Sequence, residues 1–196
     1  MAAVKSHIRL LREMRACSAA IFFAEQFPSL KAAWKACPNG NWMLWFIAKS
    51  GNPAWGMPEH RKIVGVACRC ARLAEKHWTD ACIRDAVALA ERYAAGEQIA
   101  QADLRAAATA ATAAAANSYA ANSTINAAAA GAALPANNAA SYAAAAAAAN
   151  ARDCDNAIAY ATYAAAAVAT ETAAVRKQCV DIVREAYPVP PTAKGA

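Results

Sequence analysis

The chain has 196 residues and a net charge of +6, and 59% of its residues are apolar. This length suits one domain with a sizeable core and is short for two. Of the 115 apolar residues 63 are alanine, so 52 larger ones remain to fill a core. Alanine is the strongest helix former, and strand-favouring residues never alternate over the length of a strand. The composition therefore predicts an all-α fold, a single-domain bundle of several helices, and excludes the β-rich classes.

The charge is distributed unevenly along the chain. Residues 1–105 contain 15 basic and 9 acidic residues, whereas residues 106–196 contain five of each. We therefore divide the predicted helical domain, residues 1–188, into a basic half (1–105) and an Ala-rich half (106–188), followed by a flexible tail at 189–196. Attraction to an acidic partner would originate in the basic half.

The seven cysteines are odd in number and do not have the spacing of a disulfide framework. The nearest approach to a signal peptide is a basic stretch ending at Arg15 and an apolar run at 17–24. That run is short, ends in Glu25 and lacks a small-residue cleavage site. An amphipathic first helix explains it better, so we expect a cytoplasmic protein with reduced thiols.

The basic half predicts short helices at about 5–25, 30–36 and 41–49, and longer ones at about 58–77 and 80–95. Ser29 suits the N-cap of the second helix, and Pro58 suits the first turn of the fourth. Gly96 ends the fifth helix. Residues 50–57, between the third and fourth helices, form a loop rich in helix breakers.

Residues 106–151 contain 28 alanines and no charged residue. A membrane span is disfavoured because polar residues interrupt the stretch and large aliphatic residues are scarce. Disorder occurs in low-complexity sequence, but alanine runs favour helix over coil. We expect two helices packed more closely than the usual ~8–10 Å between axes, separated by a break at 131–138. A last helix is predicted at about 153–185, stopped by Tyr187-Pro188.

Cys68, Cys70, His77 and Cys82 have the residue types of a zinc site. Residues two apart on a helix point about 200° away from each other, so Cys68 and Cys70 do not face one tetrahedral ion. Buried thiols are favoured instead. The histidines lie in no catalytic motif, no glycine-rich phosphate loop is present, and no acids are paired for acid–base chemistry. We therefore predict no enzyme, no metal and no cofactor.

Aromatic residues are concentrated in two places. Residues 42–47, Trp-Met-Leu-Trp-Phe-Ile, are apolar on every helix face, which is typical of a buried helix, and we expect Trp34 to pack with them. Trp55 lies in the loop that precedes the fourth helix. An aromatic residue there either folds back onto the core or anchors a partner, and both alternatives remain open.

The helix predicted at 58–77 has two distinct faces. Core spacing is followed by Ile63, Ala67, Cys70, Ala74 and His77. Another face carries the basic stripe, defined as Lys62, Arg69, Arg72 and Lys76. Such a run is usually a solvated face. The sharper hypothesis is a contact surface for an acidic protein partner, with Trp55, His60 and Arg61 at its end.

Residues 34–45, Trp-Lys-Ala-Cys-Pro-Asn-Gly-Asn-Trp-Met-Leu-Trp, resemble a motif with a Trp-x-x-Cys turn followed by Gly-Asp-Trp-Leu/Met-Leu-Trp. In the same order follow Cys-Ala-Arg-Leu (70–73), Gly-Glu (96–97), an Ala-rich stretch and Val-Arg-Glu-Ala-Tyr-Pro (183–188). The chain thus resembles the immunity proteins of the fifth class, inferred for bacterial polymorphic toxin systems and also encoded by phages and prophages. Asn41 stands where that family usually has Asp, so no carboxylate role carries over.

The resemblance implies an all-helical protein that binds and neutralises a toxin or, in a phage, a host defence effector such as a CRISPR complex. It implies no catalytic residue. The rival hypothesis is a nucleic-acid-binding module that uses the basic half and loses affinity steeply with salt. Nine acids dilute that charge, and no recognised nucleic-acid-binding motif is present. The sequence leaves the oligomeric state open.

Overall fold

Eight α-helices and one 3-10 helix make up the described part of the computed structural model, which covers residues 5–51, 55–78, 80–123, 143 and 173–192. They are α1 (Ser6–Glu13), α2 (Ser18–Glu25), α3 (Leu30–Ala36), α4 (Gly40–Gly51), α5 (Pro58–Arg72), the 3-10 helix Glu75–His77, α6 (Ala81–Ala94), α7 (Gln101–Ser123) and α8 (Ala173–Ala186). These ranges contain no strand, which confirms the predicted all-α bundle. None of their helices combines the length and the hydropathy that crossing a membrane requires.

Helix α5 is buried on most of its circumference. It packs against α6 and α8, while α6 packs against α7, and α8 also packs against α4. The predicted core positions Ile63, Ala67, Cys70 and Ala74 are all buried, which confirms them; the side chain of His77 lies outside the described set. One hydrophobic core cluster extends from α1 to the residue after α8.

Small side chains line the contact between α5 and α6. A methyl group added at Gly65 would lie 3.5 Å from the Cβ of Ala94, which is ordinary van der Waals contact. Ala67 on α5 and Ala86 and Ala90 on α6 are fully buried. Several residues buried on these two helices therefore have a side chain no larger than a methyl group, beside bulkier ones such as Val64 and Val87.

The first predicted helix, 5–25, is two helices in the structure. Arg15 adopts a left-handed backbone conformation with φ of +59°, and the N–H of Ala16 bonds to the carbonyl of Leu11 at 2.9 Å. This αL termination ends α1 without a glycine, and α2 then packs against α1. Lys5 caps the end of α2 by donating to the carbonyl oxygens of Glu25 and Phe27.

Most other local signals are confirmed. The Ser29 hydroxyl accepts a 3.2 Å hydrogen bond from the N–H of Ala32 at the start of α3. Pro58 occupies the first turn of α5, and Gly96, with φ of +106°, follows the end of α6. The helix predicted at 58–77 ends earlier, at Arg72, and continues after a turn as the 3-10 helix. Helix α8 ends directly before Tyr187, as predicted.

The C-terminal end of α8 is fixed to the N-terminal third of the chain. The indole Nε1 of Trp34 donates to the carbonyl oxygen of Tyr187 at 2.9 Å. Arg184 donates to the carbonyl oxygen of Cys37 at 2.6 Å. These bonds join residues that are about 150 positions apart in the chain, and they place α8 beside the end of α3.

The Ala-rich region is described only in part. Helix α7 begins at Gln101 and buries Leu104, Ala108, Ala111 and Ala114, which lie on one helix face against α6. The predicted break at 131–138 and the start of the last helix near 153 lie outside the described residues. The predicted pair of close-packed helices therefore stays a prediction beyond residue 123.

Helix α7 offers a test of close packing at neighbouring positions. Ala111 is fully buried, whereas Ala110 is exposed. Ala111→Leu should lower the free energy of unfolding by about 1–3 kcal/mol because the added methylenes overpack the interface. Ala110→Leu should change it by less than about 0.5 kcal/mol. Urea denaturation of both variants measures the difference, and equal midpoints would contradict close packing of α7 on α6.

Candidate protein-binding surface

Tyr93 on α6 organises the residues predicted at the end of the basic stripe. Its hydroxyl accepts a 2.9 Å hydrogen bond from the N–H of Gly56 and shares a 2.8 Å hydrogen bond with Nδ1 of His60. Burial raises the pKa of the Tyr93 phenol, so the hydroxyl keeps its proton at neutral pH. The loop before α5 is thereby fixed to α6.

Ring contacts complete this cluster. Trp55 stacks on Tyr93 with ring centroids 5.8 Å apart and an interplanar angle of 21°. The guanidinium of Arg61 lies 4.9 Å from the centroid of the same ring. Of the two alternatives for Trp55, the structure shows the one in which it folds back. His60 is only 3% exposed, so this predicted contact residue is enclosed by the fold and does not present its side chain to a partner.

Tyr93→Phe tests the cluster. The ring and its stacking on Trp55 are kept, but the N–H of Gly56 loses its acceptor and His60 loses one partner. The free energy of unfolding should fall by about 1–3 kcal/mol, the cost of leaving a partly buried donor unsatisfied. Urea denaturation gives this value, and an unchanged midpoint would show that the hydroxyl does not hold the loop.

Arg72, in the predicted basic stripe, joins α5 to α6. Its guanidinium makes two hydrogen bonds to Glu91, at 2.9 and 2.7 Å, and a third to Glu75 at 2.8 Å. It also lies 5.2 Å from the ring centroid of Trp78. The hydrogen bond to Glu91 is the largest cause that raises the pKa of Arg72. Arg72 is therefore occupied within the fold.

The other stripe residues differ in their surroundings. Arg69 forms an exposed ion pair with Glu185 on α8, which contributes about 0–1 kcal/mol. The Lys62 ammonium lies 4.1 Å from the ring centroid of Tyr187. Lys76 is exposed and has no ion pair within the described ranges. Partner binding by the stripe stays a prediction, and Lys76 has the freest side chain of the four.

The cysteines considered for zinc do not converge. Cys68 and Cys70 are buried in α5, as predicted, whereas Cys82 is exposed near the start of α6. Interaction with the thiol of Cys179 on α8, together with burial, instead raises the pKa of the Cys70 thiol. Among the described residues, no three histidine, cysteine or acidic side chains are grouped as metal ligands.

Alkylation should separate the thiols by exposure. Iodoacetamide should modify Cys17 and Cys82 in the native protein, and Cys68 and Cys70 only after unfolding. Asp80, through a hydrogen bond and its charge, raises the pKa of Cys82. Asp80→Asn should therefore lower that pKa, increase the thiolate fraction and speed alkylation of Cys82 at about pH 8. Peptide mass spectrometry measures both effects; equal rates in the two proteins would contradict the second.

An apolar pocket opens among α1, α2, α3 and α4. Its walls include Ala20, Phe23, Trp34, Trp42, Trp45 and Phe46, and its volume is about 50 Å³. The ring centroids of Phe23 and Trp42 lie 5.8 Å apart, and those of Trp34 and Phe46 lie 6.1 Å apart. Trp42 and Trp45 are half-buried, which corrects the expectation that all of residues 42–47 are core. We call this feature the apolar pocket.

Helix α2, which forms one wall of the apolar pocket, is poorly covered. Ala24 is its one buried residue, and Phe22 is 69% exposed. Its sequence, Ser-Ala-Ala-Ile-Phe-Phe-Ala-Glu, is apolar on nearly every face. A helix of this kind is usually enclosed by protein, so α2 has apolar surface that is left uncovered.

A second recess, the basic groove, lies between the end of α3 and α8. It is lined by Lys35, Ala36, Cys37, Pro38, Arg176, Lys177, Val180 and Arg184 and has a volume of about 540 Å³. Lys177 pairs with Asp181 at 2.6 Å, whereas Lys35 and Arg176 are exposed and form no ion pair with any described residue. The Nε of Arg184 is buried without a hydrogen-bond partner.

The buried residue Cys37 lies between the apolar pocket and the basic groove and lines both. The residues of the basic groove come from both ends of the chain and share no periodicity, so the sequence does not predict it. The apolar pocket has one signal in the sequence, because the apolar run at 17–24 has no polar face, in contrast to the amphipathic helix predicted there. The predicted contact residues on α5 lie elsewhere.

No known protein family matches this chain, and no curated protein or solved structure is similar enough to count as a match. The resemblance to the immunity proteins of the fifth class therefore stays a prediction that these comparisons do not test.

Proposed function

We propose that this chain is a non-enzymatic, inhibitory binding protein that neutralises a bacterial toxin or, if a phage encodes it, a host defence effector. It acts in the cytoplasm by direct contact with the target protein. One observation supports the proposal most: the described surface has both an apolar pocket walled by aromatic side chains and a groove with four basic side chains. This pairing is typical of a protein-binding surface.

The two recesses would contribute to binding in different ways, the apolar pocket to affinity and the basic groove to the rate of association. Aromatic side chains around an apolar pocket are typical of the centre of an interface, where a few residues carry most of the affinity. Exposed cations such as Lys35 and Arg176 mainly speed association with an acidic surface and orient it. The six described cysteines form no disulfides, which is typical of proteins in a reducing cytoplasm.

Nucleic acid binding is the second candidate, and the basic groove favours it. Its four cations are matched by one described carboxylate, that of Asp181, at its margin. The apolar pocket argues for protein instead, since its walls offer apolar surface beside the groove rather than further phosphate-binding cations.

Capture and inhibition assays test the proposal. The tagged full-length chain is incubated with nuclease-treated host lysate, and proteins retained at moderate salt are identified and purified. We expect one of them to lose its toxic or defence activity in titration with the chain, with an end point at a fixed molar ratio. Retained activity at excess chain would overturn inhibition. In parallel, short DNA and RNA probes should bind weakly even at low salt; tight binding that falls steeply as salt rises would favour the second candidate.

A further inference from the structure

We propose that the basic groove binds a short, extended, acidic segment of the target protein, whose carboxylates pair with Lys35 on α3 and Arg176 on α8. This inference rests on the proposed function and specifies the surface that is used and the chemistry of the bound segment. The apolar pocket takes no part in it.

The size of the basic groove suits an extended chain. Arg176, Val180 and Arg184 line it at intervals of four residues, so its α8 wall is about 12 Å long. A residue of extended chain advances about 3.3 Å and, in packed sheets, occupies about 160 Å³. A volume of about 540 Å³ therefore holds three or four extended residues. An α-helix of the same length, about 10 Å in diameter, would need roughly twice that volume.

Two of the four cations in the groove are available to a ligand. Lys177 forms an ion pair with Asp181 at 2.6 Å, and Arg184 donates to the carbonyl oxygen of Cys37 at 2.6 Å. Lys35 and Arg176, one on each wall, are exposed and form no ion pair with any described residue. A carboxylate of a ligand can pair with either of them without displacing another acid.

The chain already holds one carboxylate at the margin of the groove. One oxygen of Asp181 accepts from Lys177 at 2.6 Å, and the other lies 3.8 Å from a terminal nitrogen of Arg184. Cations of this groove thus bind a carboxylate within the fold, and Lys35 and Arg176 offer the same chemistry to a second and a third one.

The positive charge of the groove suits any polyanion, but the rest of its lining favours protein over nucleic acid. Proteins that bind single strands stack the bases on aromatic side chains, and none of the eight described residues that line the groove is aromatic. Tight binding to duplex DNA neutralises about 6–10 phosphates, which exceeds the two available cations. Ala36, Pro38 and Val180 give the groove apolar surface, which suits the side chains between two acids of a peptide.

The two walls are fixed to each other before a ligand binds. Nε1 of Trp34 donates to the carbonyl oxygen of Tyr187 and joins α3 to the end of α8. The hydrogen bond from Arg184 joins α8 to Cys37, directly after α3. Binding therefore orders the exposed side chains of Lys35 and Arg176 and does not require the helices to move, which keeps its entropic cost low.

The test uses the full chain and a fluorescein-labelled peptide, Gly-Glu-Ala-Val-Glu-Gly, at low salt. Its two acids are three residues apart, so in an extended chain they point to opposite sides, towards the two walls. A control peptide has glutamine in place of both glutamates. Fluorescence anisotropy should show saturable binding of the acidic peptide and at least about tenfold weaker binding of the control. Absence of binding by the acidic peptide, or equal binding of both, would overturn the inference.

Matched charge reversals locate the site. Lys35→Glu and Arg176→Glu should each weaken binding of the acidic peptide by up to about tenfold. Lys76→Glu, on the 3-10 helix, and Arg105→Glu, on α7, make the same changes at exposed positions outside the groove and should leave it unchanged. Lys35→Gln removes the charge alone and should weaken binding by up to about fivefold. Equal effects within each matched pair would overturn the site.

Removal of the carboxylate that the groove already holds should act in the opposite direction. Asp181→Asn releases Lys177 for the ligand and should tighten binding of the acidic peptide by up to about fivefold. Asp103→Asn removes an exposed acid from α7 and should have no effect. Unchanged binding in Asp181→Asn, or equal tightening in both variants, would contradict pairing within the groove.

Other occupants are outcomes of the same experiments. A DNA 20-mer that binds more tightly than the peptide, and that Lys35→Glu and Arg176→Glu release, would assign the groove to nucleic acid and overturn the inference. Dimers in sedimentation that Arg176→Glu dissociates would overturn it in favour of a second copy.

The captured target separates this inference from the proposed function. Lys35→Glu and Arg176→Glu should slow association of the chain with that target by up to about tenfold each, relative to Lys76→Glu and Arg105→Glu. If all four variants associate and inhibit like wild type, the groove is wrong while the proposed function stands. If the peptide binds as expected but no target is inhibited, the proposed function fails alone.

Discussion

Helix α5 has apolar residues on most of its circumference, so other helices have to pack against it on several sides. Buried residues occur on more than one of its faces, among them Ile63, Val64, Val66 and Cys68. A helix buried in this way needs neighbours on several sides. Helix α6 follows directly in the chain, and α8 arrives from its far end. On the side of α6, Gly65 leaves just enough room for one methyl group in front of Ala94.

The enclosure of α5 also forms the basic groove. Helix α8 covers α5 and thereby brings Arg176, Lys177 and Arg184 beside the end of α3. The hydrogen bonds from Trp34 to Tyr187 and from Arg184 to Cys37 then fix that position. The basic groove is consequently a product of tertiary closure. A substitution that displaces α8 should alter the basic groove and the core together. Substitution of the exposed side chains of the groove therefore tests binding without disturbing the core.

Local chemistry explains what the sequence predicted well. The bounds of α3 and the Ser29 cap depend on side chains within one turn, and the stop before Tyr187 depends on the proline that follows it. The break at Arg15 was missed because a left-handed residue other than glycine has no reliable local signature. The basic stripe is aligned on α5 as predicted. Two of its residues form ion pairs with Glu185 and Glu91, which lie on other helices. The periodicity of α5 carries no information about those partners.

Phe22 on α2 leaves a large apolar side chain exposed to water. Burying a side chain of this size stabilises a fold by about 1.5–3 kcal/mol, and the sequence has four phenylalanines in all. The core instead uses alanine at positions such as Ala67, Ala71 and Ala74. Some bulky residues are therefore left partly exposed on α2 and α4, although several core positions hold only a methyl group. Single exposed apolar residues are common, but Phe22 lies on a helix that also walls the apolar pocket, together with half-buried Trp42 and Trp45. Apolar side chains exposed near one another are the pattern of an interaction site, and the partner proposed above would bury area that folding alone leaves exposed.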